Sequence, residues 1–258
     1  MQKATSFILD LVLTGIQYFN AHYVLMKFHG NIPLPPMKPG QFAQVRIDGS
    51  RTTYLRRPIS INFVDTLQNE LWMLVQIVGD GTRTLANTPI GTKVNMILPL
   101  GNSFSIPKPN ERVLLIGGGV GVAPLLMFGK QLHDQQLQVE FLLGARSASD
   151  LLELNEFSEY GTVYTTTEDG SSGEKGFVTQ HSLLNTNVFD WIYTCGPKPM
   201  MQAVASYAKK HGIECEVSLE NMMACGIGAC LCCVEDTREG HVCTCIDGPV
   251  FNINVLKW

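Results

Sequence analysis

The chain has 258 residues, enough for two ordinary domains and a small appendage. Its 19 basic and 23 acidic residues leave a net charge of -4 with no long run of either sign, which argues against a nucleic-acid footprint or a polybasic membrane patch. Eight cysteines, most of them in the last 34 residues, do not resemble the spread disulfide framework of a secreted scaffold; they point to metal chemistry in an intracellular, cytoplasmic protein.

The N-terminus reaches Asp10 without the sustained apolar core or small-residue cleavage site of a signal peptide, so it is expected to open directly on a strand. From Ser6 to about Ser105 short β-rich runs follow one another: Phe7–Leu13, Tyr23–Phe28, Gln41–Ile47, Ile59–Val64, Leu71–Val78 and Lys93–Leu98. Gly, Pro, Asn and Asp separate them, and the only helical stretch is Thr82–Asn87, a pattern that predicts a small antiparallel barrel.

Two motifs lie on that barrel. In Arg56-Arg57-Pro58-Ile59-Ser60 an arginine, a stiffening proline and a hydroxyl enter a strand, with Arg57 suited to a phosphate and Ser60 to a flavin ring or its ribityl chain. In Gly79-Asp80-Gly81-Thr82 a flexible turn leads into the helix, whose free N–H groups suit a pyrophosphate. Read alone, the same residues also describe an ordinary strand entry and a plain helix cap.

Beyond Pro107–Asn110, the apolar run Arg112–Ile116 reads as a buried parallel strand and enters Gly117-Gly118-Gly119-Val120-Gly121-Val122-Ala123-Pro124, followed by a helix over Leu125–His133. Strand, glycine turn and helix form a phosphate-cradling unit. Pro124 stands where the common dinucleotide fingerprint has a third Gly or Ala, so a standard Rossmann dehydrogenase is disfavoured. Residues 113–129 carry no charge, yet five glycines and a proline argue against a membrane span. Strands at Val139–Leu143, Thr162–Thr166 and Trp191–Thr194 and a helix at Lys198–His211, after the turn Cys195-Gly196-Pro197, complete the unit. Glu168-Asp169-Gly170 reads first as a turn, and Arg146 suits either an adenosine phosphate or solvent.

The tail carries Cys225-Gly-Ile-Gly-Ala-Cys230-Leu-Cys232-Cys233 and, beyond Cys243, Cys245-Ile-Asp-Gly-Pro-Val-Phe251. Gaps of four and then two residues with a distant fourth cysteine match the plant-type spacing of a 2Fe-2S cluster. Gly226 and Gly228 suit a loop that turns its N–H groups toward sulfur. A zinc site normally shows two Cys-x-x-Cys pairs, and buried free thiols are the third alternative.

This order of parts resembles the ferredoxin-NADP reductase superfamily, and the tail closely resembles the electron-transfer subunits of NAD-dependent (type B) dihydroorotate dehydrogenase. The resemblance implies an α/β plus β protein: an antiparallel FAD-binding barrel over 1–106, a parallel NAD-binding α/β domain over 107–212 and a 2Fe-2S segment over 213–258. It further implies that Arg57, Pro58, Ile59, Ser60, Leu74, Val75, Gln76, Gly81 and Thr82 hold FAD. Gly117, Gly118, Gly119, Gly121, Cys195, Gly196 and Pro197 would frame NAD, with Cys225, Cys230, Cys233 and Cys245 on the cluster and no dedicated acid–base residue. The implied partner is an FMN-containing catalytic subunit, two copies of each chain forming a heterotetramer that serves pyrimidine biosynthesis. Two other readings compete: the small subunit of an NADPH-ferredoxin oxidoreductase or sulfhydrogenase, and a non-enzymatic module with a zinc-bound tail.

Overall fold

The computed structural model describes residues 5–258, so the reading of the extreme N-terminus at residues 1–4 lies outside the described residues. The first half is a seven-stranded antiparallel sheet: β1 (Phe7–Tyr18), β2 (Tyr23–Gly30), β3 (Phe42–Val45), β4 (Arg57–Ser60), β5 (Phe63–Asp65), β6 (Glu70–Gln76), α1 (Asp80–Ala86) and β7 (Lys93–Leu100). Its strand order is β4-β3-β7-β1-β2-β6-β5. The single run expected at Ile59–Val64 is divided between β4 and β5, at opposite ends of that order. Between them Ile61 N–H donates to Gln41 O (3.0 Å) and Asn62 N–H to Trp72 O (3.1 Å), so adjacent residues bind both ends and draw the sheet toward a barrel. Leu11, Leu13, Val24, Met26, Phe28, Met73 and Met96 fill its interior.

The second half is a mixed sheet whose first six strands are parallel. In chain order come β8 (Val113–Gly118), α2 (Ala123–Asp134), β9 (Val139–Ala145), α3 (Leu154–Ser158), β10 (Thr162–Thr167), β11 (Glu174–Lys175) and α4 (Leu183–Thr186). After them come β12 (Trp191–Cys195), α5 (Lys198–His211) and β13 (Glu214–Ser218). The apolar run at 113–129 thus becomes β8, a short 3-10 turn at Gly119–Val122 and the start of α2. No helix among the described residues is long and apolar enough to cross a membrane.

The tail forms a hairpin of β14 (Val234–Thr237) and β15 (Gly240–Cys243), then α6 (Thr244–Asp247) and β16 (Val250–Asn252). The second sheet runs β11-β10-β9-β8-β12-β13-β16. Both β13 and β16 lie beyond residue 212, yet β13 pairs in parallel with β12 and β16 antiparallel with β13, Ser218 opposite Val250. The sheet therefore extends past the expected domain division.

The two halves meet through aromatic and polar contacts. Phe104 stacks on Phe128 (4.9 Å) and both meet the edge or face of Tyr193. Asn62 Nδ2 donates to Ala123 O (3.2 Å) and Glu153 Oε2 (3.0 Å), while Asn62 Oδ1 and Glu153 Oε1 are buried without a partner. Burial favours the neutral, protonated form of Glu153 and pushes its carboxyl up to about 8 against the opposing pull of the Asn62 bond. Because the fold holds this proton more tightly than the unfolded chain does, the Glu153 contribution is full below the ordinary carboxylate pKa and is lost as pH rises to about 8. Glu153→Gln, which keeps a donor and an acceptor without titrating, is expected to gain thermal stability relative to wild type between pH 5.5 and 8.5; a constant difference across that range would reject the neutral-acid pairing.

Candidate functional site: two adjoining clefts and a cysteine loop

Carbonyl ends of the parallel strands open onto a cleft of about 770 Å³, within the range of small-molecule sites. Gly118, Gly119, Gly121, Gly196 and Pro197 line it, with Tyr23, Arg146, Asp150, Glu168 and Met200. At Gly121 the glycine is required by backbone contact. A Cβ on Gly121 would stand 2.5 Å from Cys195 O and from Gly196 N and Cα, so the loop after β8 lies directly on the turn after β12. Gly117 and Cys195, expected at the same site, are placed behind it: Gly117 packs on Val122, and Cys195 is buried with its thiol pushed above the ordinary range by desolvation. Asp169 closes its turn by accepting from Ser171, as the Asp-Gly pair suggests.

Arg57, Pro58, Ile59, Ser60, Leu74, Gln76 and Thr82 line a second cleft of about 440 Å³. Gly81 stands against Arg57, its notional Cβ 3.0 Å from Nε. This close glycine approach leaves the arginine beside the cleft. Arg57 Nη1 donates to Leu55 O (3.0 Å). Val75 is set apart from its neighbours, since strand alternation turns it into the barrel core, where it is 1% exposed. The Thr82 hydroxyl is already engaged by Val78 N–H (3.0 Å) and Gly79 N–H (3.2 Å). Asp80 in the first turn accepts from Ser50 and Thr52, which lowers its pKa, chiefly through Thr52.

Gln76, Val120 and Glu220 line both clefts, which therefore share a wall. Phe42 and Met223 line the second cleft and also pack against the cysteine segment. Tyr23, Val120, Glu220 and Met223 were not among the expected site residues, Tyr23 being read only as the start of a strand and Val120 only as part of the glycine loop. Glu220 and Met223 carry no motif, and the meeting of the two halves brings all four here.

Cys233 and Cys245 are buried, Cys225 is half-buried and Cys230 is exposed. Cys225 lies in side-chain hydrogen-bond reach of Cys230, and Cys233 in reach of both Cys245 and Cys243. Among the described residues no three His, Cys, Asp or Glu side chains gather around a single-ion site. The loop turns its N–H groups onto sulfur: Ile227 to Cys225 Sγ (3.4 Å), Gly228 to Cys245 Sγ (3.2 Å) and Cys245 to Cys233 Sγ (3.4 Å). Gly226 (φ 72°) and Gly228 (φ 79°) adopt the left-handed backbone this requires. Burial raises the Cys225 thiol, but the Ile227 N–H and then Cys230 and Ala229 outweigh it and bring it to about 6. Burial and the neighbouring Cys233 push Cys245 up to about 12. Paired thiols under backbone donors are chemically suited to a 2Fe-2S cluster, whose sulfurs accept such bonds.

Cys232 is exposed, whereas Cys243 is buried beside Cys233 and its thiol is raised by burial and that neighbour. Cys232→Ala is expected to leave the iron and sulfide content of the purified chain unchanged; marked loss of both would require a different ligand set.

Comparison with known proteins agrees with this arrangement. Residues 220–257 match the iron-sulfur cluster binding domain of dihydroorotate dehydrogenase B, and residues 115–206 match the oxidoreductase NAD-binding domain. The dihydroorotate dehydrogenase B (NAD(+)) electron transfer subunit of Fusobacterium nucleatum is 38% identical over 88% of this chain and 89% of its own. That of Listeria monocytogenes serovar 1/2a is 42% identical over 86% and 88%. Among solved structures, a chain of an NADH-dependent reduced ferredoxin-NADP oxidoreductase superposes with a TM-score of 0.87 at 27% identity, covering 100% of this chain and 92% of that one. Flavohemoglobin from Malassezia yamatoensis shares the fold at a TM-score of 0.68 and 20% identity, over 80% of this chain and 57% of that one.

Proposed function

Because this chain belongs to the family of electron transfer subunits of dihydroorotate dehydrogenase B (NAD(+)), we propose that it carries electrons between a dihydroorotate-oxidising partner and NAD, with FAD in the second cleft and a 2Fe-2S cluster on the cysteine loop. The observation that carries this reading is the shared wall. The glycine-lined cleft adjoins the barrel cleft at Gln76, Val120 and Glu220, and the barrel cleft adjoins the cysteine segment at Phe42 and Met223. When bound, FAD supplies exchange between the hydride pairs of a nicotinamide and the single electrons of a two-iron cluster.

The chain's own residues position and exclude. Gly118, Gly119 and Gly121 would admit a dinucleotide backbone close to β8, and Arg57, lining the second cleft, would offer its guanidinium to the phosphates of a flavin nucleotide. Pro58, Ile59, Leu74 and Ala123 offer apolar contact to its ring, with Ser60 and Gln76 as polar contacts. Cys225, Cys230, Cys233 and Cys245 would hold the cluster, and Phe42 and Leu100, buried with Cys233 and Cys245, keep water from that side of the loop.

Dihydroorotate oxidation belongs to a catalytic partner, since the three sheets of the described residues contain no (β/α)₈ barrel. That partner is an FMN-containing subunit, and two copies of each chain form the working heterotetramer. The chain purified without oxygen is expected to contain FAD with equimolar iron and acid-labile sulfide and to pass electrons from NADH to an artificial acceptor. Adding the FMN subunit should create dihydroorotate-dependent NAD reduction. The likeness to the ferredoxin-NADP oxidoreductase chain supports a second reading at lower identity, which would replace the first if NADPH is the preferred donor and ferredoxin, not the FMN subunit, is the productive partner.

A further inference from the structure

Between the barrel and the cysteine loop lies one polar side chain whose hydrogen-bonding capacity is unused. Along β3, Ala43 and Val45 point into the barrel core, whereas Phe42 belongs to the cluster of side chains packed on Cys233, Cys243 and Cys245. By strand alternation Gln44 shares the Phe42 face. It is 0% exposed, and both Nε2 and Oε1 are buried without a partner. Its backbone is well tied: Gln44 pairs with Pro58 and Ile97, and its carbonyl accepts from Arg56 Nη1 (3.2 Å).

What covers the amide is the cysteine loop. A Cβ on Gly226 would stand 2.5 Å from Gln44 Cγ and 2.9 Å from Nε2, so the bare backbone between Cys225 and Ile227 rests on this side chain. Nearby Leu100 and Ile97 are apolar, and a leucine or methionine would fill the same space without stranded polar atoms. A buried amide group left unsatisfied is costly, so its presence beneath a cofactor loop calls for a partner outside the protein chain.

We propose that Gln44 is a positioning residue for the iron-sulfur centre, its carboxamide N–H donating to a sulfur of the bound cluster and raising its reduction potential. This rests on the assignment of Cys225, Cys230, Cys233 and Cys245 as the cluster ligands. Reduction adds one negative charge, shared by the sulfurs, and a donor aimed at them stabilises the reduced form more than the oxidised one.

Holo chain prepared anaerobically tests this by electron paramagnetic resonance, independently of turnover. Gln44→Met keeps the volume and removes the donor. At fixed solution potential it should lower the reduced-to-oxidised ratio of the cluster about tenfold, equivalent to about 59 mV for one electron. Gln44→His restores an N–H and should recover part of the shift. In wild type, glutamine labelled with ¹⁵N at the side-chain amide should show hyperfine coupling to the reduced cluster, and Gln44→Met should lack it. An unchanged potential in Gln44→Met would overturn the proposal, as would a missing ¹⁵N coupling in wild type should the variant not retain its cluster. Wild type without iron and sulfide after reconstitution would overturn the cysteine assignment first, and this inference with it.

Discussion

Cys230→Ser is expected to yield a chain with iron and acid-labile sulfide near zero that nevertheless binds FAD and reduces it with NADH at close to the wild-type rate. Cys230 stands on the exposed side of the loop, paired with Cys225, so serine there replaces a thiolate without opening the buried Cys233–Cys245 side. The glycine-lined and barrel clefts meet at Gln76, Val120 and Glu220, none of which belongs to the cysteine loop. Loss should therefore fall on delivery to and from the FMN partner: dihydroorotate-dependent NAD reduction is abolished while NADH oxidation with an artificial acceptor persists. Flavin reduction that fails together with the cluster would mean that the loop supports the barrel cleft through Phe42 and Met223. A variant retaining full iron and sulfide would remove Cys230 from the ligand set.

The second large effect is expected at Gly121. A methyl group there meets main-chain atoms of Cys195 and Gly196, which cannot swing aside as a side chain does. At Gly118 a methyl group would stand 2.5 Å from Met200 Sδ, the flexible end of a thioether. Gly121→Ala should thus lower kcat/KM for NADH about a hundredfold, corresponding to the ~3 kcal/mol upper end of overpacking costs. Gly118→Ala should cost far less. Retained FAD absorbance in both variants shows that the damage is confined to the glycine-lined cleft, and equal losses at the two positions would contradict the contact argument.

Much of this was legible in the chain because the informative features are local. Cysteine spacing, the glycine run after an apolar strand and the Arg57–Ser60 motif each depend on a few neighbouring residues, and alternation located most barrel strands. Where structure and sequence reading differ, the cause is mostly a partner distant in sequence, with Val75 the local exception. Ile59–Val64 has the composition of one strand, but the hydrogen bonds of Ile61 and Asn62 to opposite sheet ends divide it. Val75 lies between Leu74 and Gln76 in sequence, yet alternation alone removes it from their cleft. Tyr23 gives no sign in its surrounding apolar run that its hydroxyl lies 3.4 Å from Gln76 Nε2 beside the glycine loop. The reach of the second sheet into β13 and β16 was hidden by the cysteines, whose density drew attention to the tail as a separate unit.

That β13–β16 pairing has a consequence for how such a protein is assembled from parts. Ser218 and Val250 are direct partners, and Leu219 N–H donates to Pro249 O (2.8 Å), so residues 219–249 leave and re-enter the sheet at one point. The iron-binding stretch is topologically a long hairpin excursion, a cassette with both ends clasped by adjacent strands. Because closure entropy grows only logarithmically with loop length, such a cassette can be lengthened, shortened or exchanged at modest cost to the host sheet. Shortened to a tight turn, it would leave β13 and β16 as a plain antiparallel edge but would take Glu220 from the wall between the clefts and Met223 from the barrel cleft.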